Sequence, residues 1–257
     1  MSPGLASRPF LTVLVPAYNE EDRLPGTVTK ILSYVDATGT EAEILIVDDG
    51  SKDRTADLAA ASLAGRRGRV IRNGENRGKG YSVRTGLLEA QGRFVLLTDA
   101  DLSTPIEEHA RLAAAVRDGD LDVAIGSRGL ATSNVQVRQG WLRQTMGRTF
   151  NRIIRRATGL PFRDTQCGFK LMDRERVRPI VEKMVVDRFA FDVELLFLCR
   201  RYGLSVKEIP VTWRNAPGSK VSLVRDPINM LLDVARVRWR FRRGLYNPEA
   251  AESVRAR

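Results

Sequence analysis

The chain has 257 residues, 43% hydrophobic and 28% charged, with 21 glycines and 11 prolines, which excludes disorder, collagen and low complexity and supplies one large α/β domain or two small ones. Two cysteines, Cys167 and Cys199, and a single histidine, His109, exclude a disulfide framework, a CxxC zinc site and any metal site built on several imidazoles. The net charge of +11 is concentrated: no acidic residue lies between Asp122 and Asp164, an interval that holds eight arginines.

FLTVLVP (10–16) and EILIVDD (43–49) are short apolar runs ending in polar residues, the pattern of buried parallel strands, with a helical pattern at 21–35 between them. RVIRN (69–73) and RFVLLTDAD (93–101) repeat the theme, with helices expected at about 52–64 and 80–91. A helix over about 105–118 leads into the strand DVAIGS (122–127). It contains His109 with no serine motif beside it, so a Ser-His-Asp relay is not expected. Strands alternating with helices of this length predict βαβ units and a doubly wound, mostly parallel sheet flanked by helices. Beyond residue 130 the pattern changes to long basic helices, a short strand near 167–172, a helix at 192–202 and a strand at 205–213.

No run of eighteen apolar residues is present, so no transmembrane segment is expected, and MSPGLASRPFLTVLVP lacks the features of a secretory signal. With two cysteines far apart, a reducing cytoplasm fits best. The expected organisation is an N-terminal tail (1–9), an α/β domain (10–226), a basic amphipathic helix (227–243) and a C-terminal tail (244–257).

In such sheets functional residues gather beyond the carboxyl ends of the strands. Those ends carry Tyr18-Asn19-Glu20, Asp48-Asp49-Gly50 and Asp99-Ala100-Asp101. Five acidic residues on one edge repel one another unless a cation or hydrogen-bond donors satisfy them. Asp99 and Asp101, two apart at a strand end, offer hard oxygen ligands suited to Mg²⁺ or Mn²⁺. A lone DxD is equally well explained by a cap or turn; beside Asp48 and Lys79 a cation site is the better expectation. GENRGKG (74–80) fails the P-loop spacing, but it remains a cationic loop entering a helix and able to meet a phosphate.

VPAYNEE (15–21), VDDGSKDRT (47–55), NRGKGYSVRTG (76–86), TDADLSTP (98–105), GSR (126–128), DTQCGFKLM (164–172), FAFDVELL (189–196) and GSK (218–220) follow in one order. Together they resemble family 2 glycosyltransferases with a GT-A fold. Within that family the chain is similar to the polyprenyl-phosphate glycosyltransferases of the dolichyl-phosphate β-glucosyltransferase type, over roughly residues 10–240. The resemblance implies an inverting hexosyltransferase using a nucleotide sugar and Mg²⁺ or Mn²⁺. By it, Pro16, Tyr18, Asn19 and Glu20 line the base and ribose, and Asp48 bonds the base. Asp49, Gly50, Gly78, Lys79 and Ala100 complete the donor site, Asp99 faces ribose and metal, and Asp101 ligates the metal. Asp192 stands where relatives with hydroxyl acceptors keep a base; here it orients a sugar or caps its helix.

A phosphate acceptor is already anionic at pH 7, so the site needs a cationic cradle more than a base. Arg128 is the first expectation for that cradle, with Arg143, Arg148 and Lys170 as further candidates, and Ser219 and Lys220 in a late loop. UDP-glucose is the favoured donor; a UDP-N-acetylhexosamine, GDP-mannose or a non-lipid acceptor is the alternative. Ser103 replaces a glutamine common in mannosyl-transferring members, and Ala235 stands where the QxxRW of processive synthases has glutamine.

A polyprenyl phosphate is held in lipid, so an anionic membrane surface is an expected partner. Segment 138–156 interleaves Arg138, Arg143, Arg148, Arg152 and Arg155 with Trp141, Leu142, Met146, Phe150, Ile153 and Ile154. In 228–243, Ile228, Leu231, Leu232, Ala235 and Trp239 recur at helical spacing beside five arginines. These stripes either pack on the core or a partner chain, or lie in the membrane interface; the second is favoured. The expected location is peripheral, on the cytoplasmic face, with a homodimer or a small membrane protein as an open further partner. Nucleic acid is not expected, because the carboxylate edge would repel it. A nucleotidyltransferase would carry a basic glycine-rich loop where the acidic PAYNEE stands.

Overall fold

The computed structural model describes residues 9–117, 121–137, 141–214 and 225–246. Its main sheet has seven strands in the order β3-β2-β1-β4-β7-β5-β8. These are β1 (Leu11–Ala17), β2 (Ala42–Asp48), β3 (Gly68–Arg72), β4 (Phe94–Leu97), β5 (Val123–Ser127), β7 (Lys170–Asp173) and β8 (Val206–Pro210). A two-stranded sheet pairs β6 (Asn134–Val137) with β9 (Thr212–Arg214). The helices are α1 (Leu24–Thr38), α2 (Thr55–Ser62), α3 (Lys79–Glu89), α4 (His109–Arg117), α5 (Trp141–Thr158), α6 (Arg174–Val181), α7 (Phe191–Arg201) and α8 (Arg225–Arg242).

Successive residues of a strand face opposite sides of a sheet, and both faces here are apolar. Leu14, Leu45, Val47, Val95 and Leu97 point into one core, with residues of α3, α6, α7 and α8. Val13, Val15, Ile44, Ile46 and Leu96 point into the other, covered by Leu24, Val28 and Ile31 of α1 and Leu112 and Val116 of α4. β1 to β4 are mutually parallel where they pair, as is β5 with β8. The carboxyl ends of β1, β2 and β4 therefore open at one edge, where the order reverses around β1.

Three features depart from the sequence expectation. β7 runs antiparallel between β4 and β5, a direction that four residues of sequence cannot encode. Residues 174–181, given no element from sequence, form α6, whose start is capped by the Asp173 side chain accepting from the N–H groups of Glu175 and Arg176. The strand expected at 205–213 divides at Val211: β8 stays in the main sheet and β9 leaves it to join β6.

α3 lies against β1 with no intervening gap. A Cβ on Gly86 would come within 2.2 Å of Leu14 Cδ1. Gly86→Ala should therefore lower unfolding free energy by about 1–3 kcal/mol through overpacking, read from the midpoint of a urea titration.

Candidate active site

The loop after β1 is fastened to the loop after β2. Ser51 Oγ accepts from Asn19 N–H at 2.8 Å, Asn19 Oδ1 accepts from Lys52 N–H at 2.8 Å, and Thr55 Oγ1 accepts from Glu20 N–H at 2.7 Å. Glu20 pairs with Arg23 at 2.6 Å. Asn19 takes φ 52° to make this turn. Asn19 thus holds the loop with its side-chain oxygen, while Pro16 is buried within β1. Asp48 is buried; its Oδ2 accepts from Ser51 N–H at 3.2 Å, and its Oδ1 is buried with no hydrogen-bond partner among the described residues. A buried acceptor of this kind is costly unless a ligand donates to it.

Asp49, next in sequence, faces a different task. Its carboxylate accepts from Asn73 Nδ2, Arg77 N–H and Gly78 N–H at 3.0, 3.1 and 2.8 Å, so it orders the 73–78 loop. Gly50, at φ 72°, lies so near that loop that a Cβ would sit 2.3 Å from the Glu75 backbone. Gly78, at φ 104°, is equally confined: a Cβ would meet Asp187 O at 2.4 Å. The loop delivers Lys79 to the first turn of α3, where its Nζ donates to Asp99 Oδ1 at 2.6 Å. Burial alone would raise the Asp99 carboxyl, but Lys79, with Lys170 and Arg128 near it, holds it below the usual carboxylate range. Burial would lower Lys79, but Asp99, with Asp192 and Asp101 near it, raises it.

Asp101 Oδ1 accepts from Ser103 N–H at 2.8 Å, while the Ala100 carbonyl accepts from Thr27 Oγ1 at 2.6 Å. Among the described residues no cluster of three or more His, Cys, Asp or Glu could hold a metal ion. The donor set still fits Mg²⁺ or Mn²⁺ of the kind that takes one or two carboxylates and completes its shell with substrate phosphate. Asp101 and Asp99 would supply the carboxylates, and the lowered Asp99 stays ionised.

Arg128, just beyond β5, forms a two-pronged pair with buried Asp164: Nε donates to Oδ2 at 2.7 Å and Nη2 to Oδ1 at 2.9 Å. Its guanidinium stands 5.4 Å from the Trp213 ring. Burial would lower Arg128, but Asp164 more than offsets it and raises it; Asp164 is in turn held below its ordinary value. Glu208 of β8 sets this corner, accepting from the N–H groups of Arg163 and Asp164 at 2.9 and 2.8 Å and from Ser127 Oγ at 2.9 Å. Asp164, Glu208 and Trp213 were not among the expected site residues. The DTQCGF run signalled Asp164; nothing in the sequence marks the pairing of Glu208 with it.

Lys170 corrects an expectation. Its side chain is fully buried, and Nζ donates to Asp192 Oδ1 and to the Cys167 carbonyl, each at 2.5 Å. Nζ is thus engaged by Asp192 and Cys167 within the core rather than exposed as the expected phosphate ligand would be. Asp192 does not cap its helix either; Ala190 takes the N-cap position without a side-chain bond. Burial pushes Asp192 up, against the pull of Lys170 and Lys79. The side chains of Arg143 and Arg148, and Arg138, Ser219 and Lys220 entirely, lie outside the described residues.

Asp192→Ala should destabilise the protein by about 3–5 kcal/mol, because it leaves a buried ammonium without its counter-charge. Replacing both partners, Lys170→Met with Asp192→Leu, should restore most of that loss, as read by chemical denaturation.

The sequence model described as Glycosyl transferase family 2 matches residues 12–180. A dolichyl-phosphate beta-glucosyltransferase from Dictyostelium discoideum is 33% identical over 92% of this chain and 76% of its own length. Enzymes of the same name are 36% identical in Drosophila melanogaster, over 86% of this chain and 72% of theirs, and 32% identical in Homo sapiens, over 95% and 79%. Among solved structures, glucosyl-3-phosphoglycerate synthase from Mycobacterium tuberculosis, in complex with Mn²⁺, UDP-glucose and glycerol 3-phosphate, superposes with a TM-score of 0.66 at 20% identity, covering 89% of this chain and 80% of that one. That likeness shows the GT-A-like fold. With a family match across more than half its length and relatives this similar along nearly all of it, the chain belongs to glycosyl transferase family 2 and is a sugar-transferring enzyme.

Proposed function

We propose that the protein is an inverting, metal-dependent hexosyltransferase that moves glucose from UDP-glucose onto a polyprenyl phosphate, giving a polyprenyl-phosphate-linked β-sugar. The observation that carries this reading is the extended identity with relatives named for that activity. The geometry supports it. Unpartnered Asp48 Oδ1 can accept the imide N–H of uracil. The Lys79 ammonium, at the opening of α3, can receive a diphosphate. Asp101 and Asp99 would hold the divalent ion, which when bound neutralises charge on the departing diphosphate.

Arg128 has Nε and Nη2 committed to Asp164, so its orientation is fixed while Nη1 is left to meet an acceptor phosphate. An acceptor phosphate oxygen attacks the anomeric carbon, the bond to the UDP oxygen breaks with its electron pair going to UDP, and the sugar inverts from α to β. The nucleophile is already deprotonated, so no base is needed, and Asp192 can remain paired with Lys170.

We place the reaction at the cytoplasmic face of a membrane, with the protein peripheral. Among the described residues no helix is long and apolar enough to cross one. α8 has apolar residues on two opposite sides. Met230, Val234 and Val237 are buried, whereas Ile228, Leu232 and Trp239 are 56, 60 and 53% exposed. The outward three share one side with Ala235, flanked by Arg236 and Arg240 on one edge and Arg238 and Arg242 on the other. Ile153 of α5, a helix that packs on α8, is also exposed. An apolar stripe edged by arginines suits an anionic lipid surface.

A label-transfer panel tests the chemistry: UDP-glucose, UDP-GlcNAc, UDP-GalNAc and GDP-mannose, each with polyprenyl phosphate and Mn²⁺ or Mg²⁺, with and without EDTA. Label should enter the organic phase from UDP-glucose alone and only with metal. Transfer solely to water-soluble acceptors would overturn the lipid reading. Flotation tests the location: the protein should rise with vesicles containing phosphatidylserine at low salt, and Leu232→Glu with Trp239→Glu should reduce the bound fraction at least tenfold.

A further inference from the structure

The first turn of α7 carries two buried carboxylates that diverge. Asp192 goes to Lys170 in the sheet, whereas Glu194, roughly half a turn away, faces the segment before the helix. Glu194 is fully buried and has no ion-pair partner among the described residues. Its oxygens accept four contacts: from Val185 N–H at 3.0 and 3.2 Å, from Val186 N–H at 2.9 Å, and from Tyr246 Oη at 2.6 Å. Two backbone donors and one hydroxyl thus converge on a single buried carboxylate.

What Glu194 holds is the wall of the loop read above as the donor loop. Residues 186–188 turn their carbonyls toward α3. Asp187 O accepts from Tyr81 N–H at 3.0 Å. A Cβ on Gly78 would lie 2.4 Å from Asp187 O, and one on Gly80 would lie 2.4 Å from Val186 O and 2.7 Å from Arg188 O. There is no slack between this backbone and the residues on either side of Lys79. Arg84 grips the same segment from α3, through Met184 O at 2.9 Å and Asp187 at 2.9 Å. Arg84 fastens the segment to the loop's own helix. Glu194 fastens it to α7.

Tyr246 brings in the C-terminal helix. α8 ends at Arg242, the chain reverses at Gly244 with φ 68°, and Leu245 stays exposed while Tyr246 turns inward. There its hydroxyl reaches Glu194 and its carbonyl accepts from Tyr202 Oη. Burial raises both Glu194 and Tyr246, so the phenol keeps its proton and remains the donor. Neither residue touches the reacting atoms.

We propose that Glu194 is a positioning residue for the donor diphosphate, held in place by Tyr246, so that the end of the outward-striped helix α8 fixes the backbone against which the Gly78–Gly80 loop is seated. This rests on the reading of that loop as the donor loop. Tyr246→Phe tests it with the smallest change, since ring packing and the carbonyl bond to Tyr202 are retained.

The expected results are a three- to tenfold rise in the dissociation constant for UDP by calorimetry and a similar rise in KM for UDP-glucose. The KM for polyprenyl phosphate and kcat at saturating donor should stay within twofold. Hydrogen exchange should accelerate at the amides of Val185 and Val186 and within 78–82, but not in β1 or β2. Glu194→Ala, which removes both acceptors from the two backbone donors, should give a larger change of the same kind. A UDP affinity within twofold of wild type, or donor and acceptor parameters shifting together, overturns the proposal. Lys79→Ala separates this from the reading beneath it. If that variant binds UDP normally, the loop is not the donor loop; if it loses UDP while Tyr246→Phe does not, only the role of Glu194 and Tyr246 falls.

Discussion

The ion pair between Lys79 and Asp99 is the bond around which the site is arranged. It joins the start of α3 to the end of β4 and stands at the carboxyl edge of the sheet, where acidic residues converge. Three of those residues solve their repulsion locally. Asp49 is surrounded by donors of the 73–78 loop, Glu20 pairs with Arg23, and Asp99 takes Lys79. Behind Asp99, Lys170 answers Asp192, and beside it Arg128 answers Asp164. Among the described residues Asp48, Asp49 and Asp101 enter no ion pair, so the edge keeps an excess of negative charge before any substrate arrives. An arriving diphosphate then requires a compensating cation, which is the physical reason a divalent ion and an anionic donor suit this edge together.

The excess basic charge lies elsewhere and does a different job. Arginines of α8 flank an apolar stripe pointing away from the core, while the same helix buries Met230, Val234 and Val237 beneath it. A helix with two apolar sides is committed to the protein on one and leaves the other to a partner. Because α8 packs on α5 and α7, its inward side belongs to the body that carries the site. The helix that carries the outward stripe and the α3 helix that Lys79 opens are therefore packed into one core, on the same side of the sheet.

Much of this was legible from residue patterns. The mostly apolar runs placed β1 and β2 within one residue at each end and β4 inside the longer run 93–101, because burial on both faces leaves a nearly continuous hydrophobic signal. The carboxylates at their ends were equally visible, since a strand that stops in acid is conspicuous. What sequence could not show was which oxygen meets which donor. Asp48 and Asp49 are adjacent and chemically alike, yet one keeps a buried oxygen with no donor among the described residues and the other is consumed by a loop. Lys170 looked like a phosphate ligand because its charge is visible in sequence and its burial is not. β6 and β9 pair across 78 residues, and such non-local pairing leaves no periodic trace in four- and three-residue strands.

The segment DTQCGFK shows how a motif that identifies a family can be read as a set of physical requirements. Asp164 orients Arg128, and the Cys167 carbonyl accepts from Lys170. Gly168 has no side chain because the Asp99 carboxylate occupies that space: a Cβ would stand 2.2 Å from Asp99 Oδ2. Lys170 then supplies the counter-charge for Asp192. Seven consecutive residues thus orient Arg128, clear room for the Asp99 carboxylate and supply the counter-charge for Asp192. These requirements are coupled, since moving the backbone to relieve one disturbs the others. Such coupling makes a short motif specific where a lone DxD is not. It also explains why β7, the strand that follows, enters antiparallel: Lys170 opens it from the site edge, so the segment must come in over the carboxyl ends and run away from them.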